Sequence, residues 1–250
     1  MIAGRSVLAL IPARGGSKGL PHKNVLPVGG RPLLAWTVDA ARGSAYVDRV
    51  VLSSDDEAIC AAALACGCEV PFRRPSDLAT DTAATIDVAL HAIDQLPGHD
   101  WLVLLQPTSP LRIAADIDAA LERCLSTGAR SCVSVTAVEQ SPYWMYRVGH
   151  DERLHPIIVT PAGVSRRQDL PPIYVLNGAV YVADAAALRR SRAFVDADTV
   201  AHVMPRERSI DIDTAADFES FRIAISQQGP IADTVTAPAL PTASTPEPTL

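Results

Sequence analysis

The chain alternates apolar runs with polar loops in a regular beat. The first run, Val7-Leu8-Ala9-Leu10-Ile11, is apolar at consecutive positions, as in a strand buried on both faces, and it stops at Pro12. Residues 32–42 carry helical spacing, with a proline in the first turn and an end before Gly43. A second strand follows over 48–53, an alanine-rich helix over 56–65 ends at Gly67, and a short third strand is predicted over 69–72. The polar loop 73–82 caps a helix over 83–95, and residues 101–106, WLVLLQ, read as a fourth strand. A helix over 114–126 and a strand over 131–138 complete the beat. Strands separated by helices predict an α/β fold with a doubly wound, mostly parallel sheet in which successive strands run parallel.

The beat breaks between residues 139 and 174, where no helical period is found. Tyr143, Trp144 and Tyr146 precede a polar stretch, two prolines and the run Arg166-Arg167-Gln168-Asp169-Leu170-Pro171-Pro172. Exposed aromatic groups on such an inserted arm need a partner surface, so self-association is expected. Strand pattern returns over 177–183, a short helix over 185–190 and a strand over 200–204. Ser209-Ile210-Asp211-Ile212-Asp213 then alternates, which puts both carboxylates on one strand face. A last helix is predicted over 214–226. Beyond Gly229, five prolines and five threonines with almost no large apolar residue predict a disordered tail. The expected organisation is one domain over 1–228 with an arm at about 139–174, followed by a tail over 229–250.

Composition narrows the classes. With 250 residues and 48% hydrophobic content the chain can bury a large single core. A net charge of −6 argues against nucleic acid as a partner, and no apolar stretch has bilayer-spanning length, so a soluble cytoplasmic protein is expected. The five cysteines, Cys60, Cys66, Cys68, Cys124 and Cys132, form no paired C-x-x-C motif and are read as reduced thiols without function.

The chemistry begins after the first strand. Arg14, Lys18 and Lys23 stand among Gly15, Gly16 and Gly19, placing cations on backbone that can bend close to a ligand. The loop is neither a Walker A sequence nor a dinucleotide fingerprint, and the competing reading is a plain basic turn. Its position at the carboxyl end of a first strand, where open α/β sheets bind ligands, favours a polyphosphate site. Late in the chain, Asp211 and Asp213 repel each other unless a divalent cation sits between them or one is protonated; the competing reading is a solvated strand edge.

The string from Ala13 to Asn24, ARGGSKGLPHKN, resembles the signature of the acylneuraminate cytidylyltransferases, also called CMP-sialic acid synthetases. Further matches are RPSDLATDT at 74–82, LQPTSPLR at 105–112, RRQD at 166–169, NGAVY at 177–181 and SIDIDT at 209–214, covering nearly the whole chain to about Gln227. The resemblance implies a Rossmann-like nucleotidyltransferase fold and an enzyme that transfers CMP from CTP to the anomeric hydroxyl of a nine-carbon 2-keto acid sugar, releasing pyrophosphate. It also implies a homodimer whose arm reaches the neighbouring active site. Arg14 and Lys23 match triphosphate-binding positions, with Lys18 assisting; Asn24 and Thr85 match the ribose-holding positions, and Arg74 lies in the loop that closes over cytosine. Asp211 and Asp213 are the implied Mg²⁺ or Mn²⁺ ligands, Asp213 being either ligand or base toward the sugar hydroxyl.

Gln106, ending the fourth strand at the same sheet edge, can orient the sugar or a metal-bound water; bracing its loop is the alternative. Arg167 matches the arginine that reaches the sugar carboxylate, and Asn177, Tyr181 and Phe194 match sugar-pocket positions, although the two rings suit a core equally. In one place the chain departs from the sialate-specific bacterial pattern: Trp144 stands where those members carry lysine. An aromatic there favours a less polar acceptor, such as a legionaminic or pseudaminic acid. The alternatives are a cytidylyltransferase for the eight-carbon acid Kdo, against which the RRQD and SIDID stretches argue, and a non-catalytic nucleotide-sugar binding protein, which would be expected to have lost Arg14, Lys23 or Asp211. A carbohydrate phosphatase would want its D-x-D at an early strand end.

Overall fold

The structure is a computed structural model that describes residues 1–17, 19–159, 166 and 169–227. In chain order, β1 (Val7–Pro12) leads through the basic loop to a small ribbon of β2 (Pro27–Val28) and β3 (Arg31–Pro32). Then come α1 (Leu33–Gly43), β4 (Arg49–Ser53), α2 (Glu57–Ala65), α3 (Thr85–Gln95), β5 (Trp101–Leu104), α4 (Ala114–Thr127) and β6 (Ser131–Ala137). The arm carries a hairpin of β7 (Tyr146–Val148) and β8 (Leu154–Pro156), and the chain ends in β9 (Tyr174–Asp184), α5 (Ala185–Ser191), β10 (Val200–Val203) and α6 (Ala215–Gln227).

Six strands form the central sheet in the order β10-β6-β9-β5-β1-β4. β1 lies parallel to both β4 and β5, and β10 parallel to β6. The consecutive apolar run of β1 divides between two cores: Val7, Ala9 and Ile11 pack under α1, α2 and α4, while Leu8 and Leu10 pack under α3 and α5. The same division holds in β5, with Trp101 and Val103 on one face and Leu102 and Leu104 on the other. Alternate side chains of a strand point to opposite faces, so an unbroken apolar run is what a sheet covered on both sides requires.

β1, β4, β5 and β6 all run parallel, as expected, and β9, for which the sequence predicts no direction, is antiparallel to both β5 and β6 and separates them. Among its described residues the arm contains no long helix to carry the chain back along the sheet, and β9 starts where β6 stops: Tyr174 pairs with Ala137. Parallel neighbours need such a crossover; antiparallel ones do not. Two expectations change. The strand over 69–72 shrinks to one bridge at Glu69, ahead of Pro71, and the 209–213 segment is extended chain rather than strand. The fourth strand stops at Leu104, the helix expected from residue 83 starts at Thr85, and the tail lies outside the described residues.

Caps explain the helix ends. Asp56 accepts the Ile59 N–H at 2.9 Å to start α2, and Gly128, at φ 72°, ends α4. Before α6, the Thr214 hydroxyl accepts the Asp217 N–H while the Asp217 carboxylate accepts the Thr214 N–H, a reciprocal cap. The five cysteines are all free thiols, as expected. Among the described residues, no helix is long and apolar enough to cross a membrane.

Candidate active site

The loops that follow β1 and β5 meet the segment leading into α3 at the carboxyl end of the sheet, around a cavity of about 440 Å³. Arg14, Lys23, Asn24, Arg74, Thr85, Gln106 and Asp213 line it. Seven of the residues singled out in the sequence are thereby brought together from stretches that lie up to 199 positions apart.

The basic loop is held from several sides. Ala13 N–H donates to the Ser53 carbonyl at 3.0 Å, and Gly15 N–H to the Asp55 carboxylate at 3.1 Å, which fixes the loop to the end of β4. Asn24 is buried and donates its amide to the Arg14 carbonyl at 3.2 Å, so it braces the loop as well as lining the cavity. Arg14 donates to the Thr80 carbonyl at 2.6 Å and pairs with Asp81 at 2.8 Å. Its guanidinium is thus anchored to the loop before α3 while facing the cavity.

Lys23 links the first loop to the acidic segment: its ammonium donates to the Ile212 carbonyl at 2.8 Å and to Asp213 at 2.9 Å. Gly19 makes the second link. A Cβ built there would sit 2.3 Å from the Asp213 carbonyl oxygen, so only glycine allows the two backbones this approach.

The acidic segment is anchored by Ile212, which is fully buried beside Leu111 and Phe221 and donates its N–H to the Thr108 carbonyl at 2.8 Å. With Ile212 turned inward, Asp211 and Asp213 flank it on the outer side, as alternation predicts even without a strand. Asp211 is not in the cavity wall. It is exposed yet set partly against protein, and that partial desolvation raises its carboxyl pKa; the neighbouring Asp213 pushes the same way, while Thr108 and Lys23 oppose. Two repelling carboxylates beside a polyphosphate-sized cavity are a suitable donor set for Mg²⁺, which takes one or two protein carboxylates and completes its shell with phosphate and water oxygens. No cluster of three or more potential metal ligands exists among the described residues.

Arg74 is buried and donates to both the hydroxyl and the carbonyl of Ser53. Burial holds its guanidinium down at about 10, against the pull of Asp55. Gln106 contrasts with Asn177. The Gln106 amide lines the cavity with no protein partner among the described residues, so it is available to a ligand. Asn177 is buried and its amide is committed: it accepts from Ser134 at 2.6 Å and Ala179 N–H at 3.2 Å, and donates to Ser209 at 2.9 Å. It stands behind the cavity as a brace between β9 and the 205–209 turn.

Tyr181 and Phe194 meet edge to face at 5.5 Å against the α3–α5 core, off the cavity wall. Burial first, and the charge of Asp211 second, raise the Tyr181 phenol, so this aromatic pair adjoins the acidic segment. Lys18 and Arg167 lie outside the described residues.

Arg112 is a residue whose importance the sequence concealed. Only 2% exposed, it donates to the Ala179 carbonyl at 2.7 Å, to the Thr37 hydroxyl at 2.7 Å and to the Gln106 carbonyl. Burial depresses its pKa to about 9, with Asp116 and Asp211 opposing. It fixes the backbone that presents Gln106. Asp55 and Asp81, which hold Gly15 and Arg14, were likewise passed over; the signal was their place next to strand and loop ends already chosen.

A family model described as cytidylyltransferase matches residues 8–147, more than half of the chain. The chain belongs to the cytidylyltransferase family. Among similar proteins, an N-acylneuraminate cytidylyltransferase of Streptococcus agalactiae is 35% identical over 84% of this chain, and the chain spans about half (51%) of that relative's length. A CMP-N,N'-diacetyllegionaminic acid synthase of Legionella pneumophila is 35% identical, with 85% of this chain and 93% of the relative covered. A pseudaminic acid cytidylyltransferase of Campylobacter jejuni is 31% identical, with 86% and 94% covered. A solved CMP:2-keto-3-deoxy-manno-octonic acid synthetase complexed with CTP matches at a TM-score of 0.68 and 18% identity, covering 89% of this chain and 99% of that one. At that identity the cytidylyltransferase fold is shared, and nothing about the sugar follows.

Proposed function

We propose that this cytidylyltransferase is a CMP-nonulosonate synthetase. It joins CMP from CTP to the anomeric hydroxyl of a sialic acid-type, nine-carbon 2-keto acid sugar and releases pyrophosphate. The observation that carries this reading is the convergence of Arg14, Lys23, Asn24, Arg74, Thr85, Gln106 and Asp213 on one cavity, in a chain whose relatives at 31–35% identity act on three such sugars by name.

The sugar hydroxyl attacks the α-phosphorus as the bond to the bridging oxygen of pyrophosphate breaks. Arg14 and Lys23 carry the positive charge that offsets the charge collecting on pyrophosphate, with Lys18 assisting. Asn24 and Thr85 hold the ribose and Arg74 the cytosine side. Asp211 and Asp213 would hold Mg²⁺ or Mn²⁺, which when bound neutralises part of the triphosphate charge. Asp213, whose side chain is 74% exposed, is either the second of these ligands or the base that takes the hydroxyl proton. Gln106 orients the acceptor by its unspent amide. Arg167 is assigned to the sugar carboxylate and Asn177, Tyr181 and Phe194 to the outer support of the sugar side, the last three from one step behind the wall.

The acceptor is assigned to the legionaminic and pseudaminic class. Trp144, 44% exposed on the arm, offers an apolar surface, and relatives named for these sugars are 35% and 31% identical to this chain. The arm also supports a homodimer: Val148 and Leu154, cross-strand partners in its hairpin, are 72% and 64% exposed. Dependence on CTP fits a cytoplasmic setting.

The test is pyrophosphate release with CTP and Mg²⁺ over N-acetylneuraminic, legionaminic, pseudaminic and Kdo acids, with ATP, GTP and UTP as controls. Turnover with one nonulosonic acid and CTP alone is expected. Turnover with Kdo only, or none with any sugar, refutes the proposal.

A further inference from the structure

A second cavity, of about 430 Å³, opens at the other end of the sheet. Its walls come from the residues before β1, the start of β5, the turn after α4 and the β9–α5 junction. The six residues of β1 alone separate this end from the catalytic loops by about 20 Å.

The charge of this cavity is unusual for the chain. Arg5, Arg130 and Arg190 line it with Asp184 as the one acid, in a protein whose net charge is −6. Asp184 is already engaged. It accepts Arg5 at 2.6 Å and the Ala187 N–H at 2.7 Å. Burial opposes its ionisation, but those two contacts and the nearby charge of Arg130 outweigh burial and hold the carboxyl below its ordinary value. Asp184 therefore neutralises Arg5 and leaves two guanidinium charges over. The side chains of Arg130 and Arg190 have no hydrogen-bond or ion-pair partner among the described residues, whereas Arg189 and Arg192, close to Arg190 in the chain, pair with Asp94 and Asp87.

The wall also holds an unpaired donor. Trp101 is 2% exposed, and its indole N–H is buried without an acceptor. The Arg5 guanidinium lies 4.2 Å over its ring, so the aromatic platform and the first cation are already locked together. Buried donors are rarely left unmatched, and an exception calls for an account.

We infer that this cavity binds a phosphate group, free or as the end of a small metabolite, gripped by Arg130 and Arg190 above the Arg5–Trp101 platform. Guanidinium forks match tetrahedral oxyanions in shape as well as charge, and the two unneutralised forks suit a dianion better than a monocarboxylate. Such a ligand would tie the N-terminal segment, the α4–β6 turn and α5 together at the end of the sheet remote from catalysis.

The test uses the full chain labelled with 5-fluorotryptophan, whose three residues Trp36, Trp101 and Trp144 give separate ¹⁹F signals; Trp101→Phe assigns the relevant one. Inorganic phosphate, pyrophosphate, ribose 5-phosphate and acetate are titrated in turn. We expect a saturable shift of the Trp101 signal with at least one phosphate species at or below a few millimolar, none with acetate, and a weakening of tenfold or more in Arg130→Gln/Arg190→Gln. The species that saturates at lowest concentration identifies the source of the phosphate. Arg14→Ala, which alters the catalytic cavity, should leave the titration unchanged. No saturation by any phosphate species up to 20 mM (~20 mM being well above cellular-scale affinity for a built site) overturns the inference, as does an unaltered curve in a double variant whose melting curve matches the parent, or loss of the shift in Arg14→Ala.

Discussion

Gly19 and Gly16 make a matched pair in one loop. At Gly19 a Cβ would lie 2.3 Å from the Asp213 carbonyl oxygen, whereas at Gly16 nothing lies within 4 Å. Neither glycine adopts a positive φ, so alanine's backbone preference is not at issue in either. A relaxed carbon–oxygen contact needs about 3.3 Å, so Gly19→Ala must push the basic loop and the acidic segment apart by about 1 Å. That gap is the one Lys23 bridges to Ile212 and Asp213. A misplacement of about 1 Å in a positioned constellation costs on the order of 10²-fold in rate, or about 2.7 kcal/mol of barrier. Gly19→Ala is therefore expected to lower kcat about a hundredfold with a melting temperature near that of the parent, because the contact joins two surface segments. Gly16→Ala should keep kcat within about twofold and gain a few tenths of a kcal/mol from the stiffer unfolded chain. Steady-state pyrophosphate release with both variants decides it. If Gly19→Ala matches Gly16→Ala in kcat, the close approach does not set the catalytic geometry.

Arg14→Ala should reduce kcat/KM for CTP by about 10²–10³-fold, the usual loss for one charge-stabilising donor, with little change in circular-dichroism melting; a loss under fivefold removes it from the triphosphate. Asp211→Asn should abolish metal-dependent turnover yet stabilise the fold near neutral pH. The folded-state pKa of Asp211 is raised, so its ionised form opposes folding above that pKa, and the gain should vanish as pH falls below it toward the ordinary carboxylate range; melting curves at about pH 4, in that range, and at about pH 7.5 test the sign. Arg112→Met leaves the Ala179 and Gln106 carbonyls and the Thr37 hydroxyl without their donor and should cost about 3–5 kcal/mol in urea unfolding; a loss below about 1 kcal/mol would mean that water replaces the guanidinium. Leu154→Lys on the arm should convert a dimer to a monomer in sedimentation without unfolding it, and an unchanged mass would move the interface elsewhere.

Much of the scaffold could be read from the chain because hydropathy reports burial. The unbroken apolar runs of β1 and β5 announced a sheet covered on both faces, and Asp56 and Gly67 marked the two ends of α2. The direction of β9 escaped, since periodicity is the same for a strand read either way, and it turned out antiparallel. The basic loop was legible by charge and glycine content. Its partners were not: Lys23 reaches Ile212 and Asp213, contacts that only the folded chain brings about. Asn177 shows the limit in the other direction, for a polar residue in a matched motif is equally well a buried brace, and the choice depends on which atoms its amide meets. Arg112 gave no local sign of being buried, because its need for burial comes from three acceptors on three different elements.

The place of β9 in the sheet bears on how the molecule is made. It lies between β5 and β6, yet it emerges from the ribosome after both. Until residue 184 has been synthesised, β5 has an open edge, β6 has no partner on that side, and two apolar strands wait for a third to be inserted between them. The Lys23–Asp213 link comes later still. A chain cut short within the arm would therefore lack β9 and β10 alike and carry three unpaired strand edges, one on β5 and both on β6, that invite intermolecular pairing. Ribosome stalling or proteolysis near residue 160 should produce aggregates rather than a smaller working enzyme, and synthesis is in effect all or none.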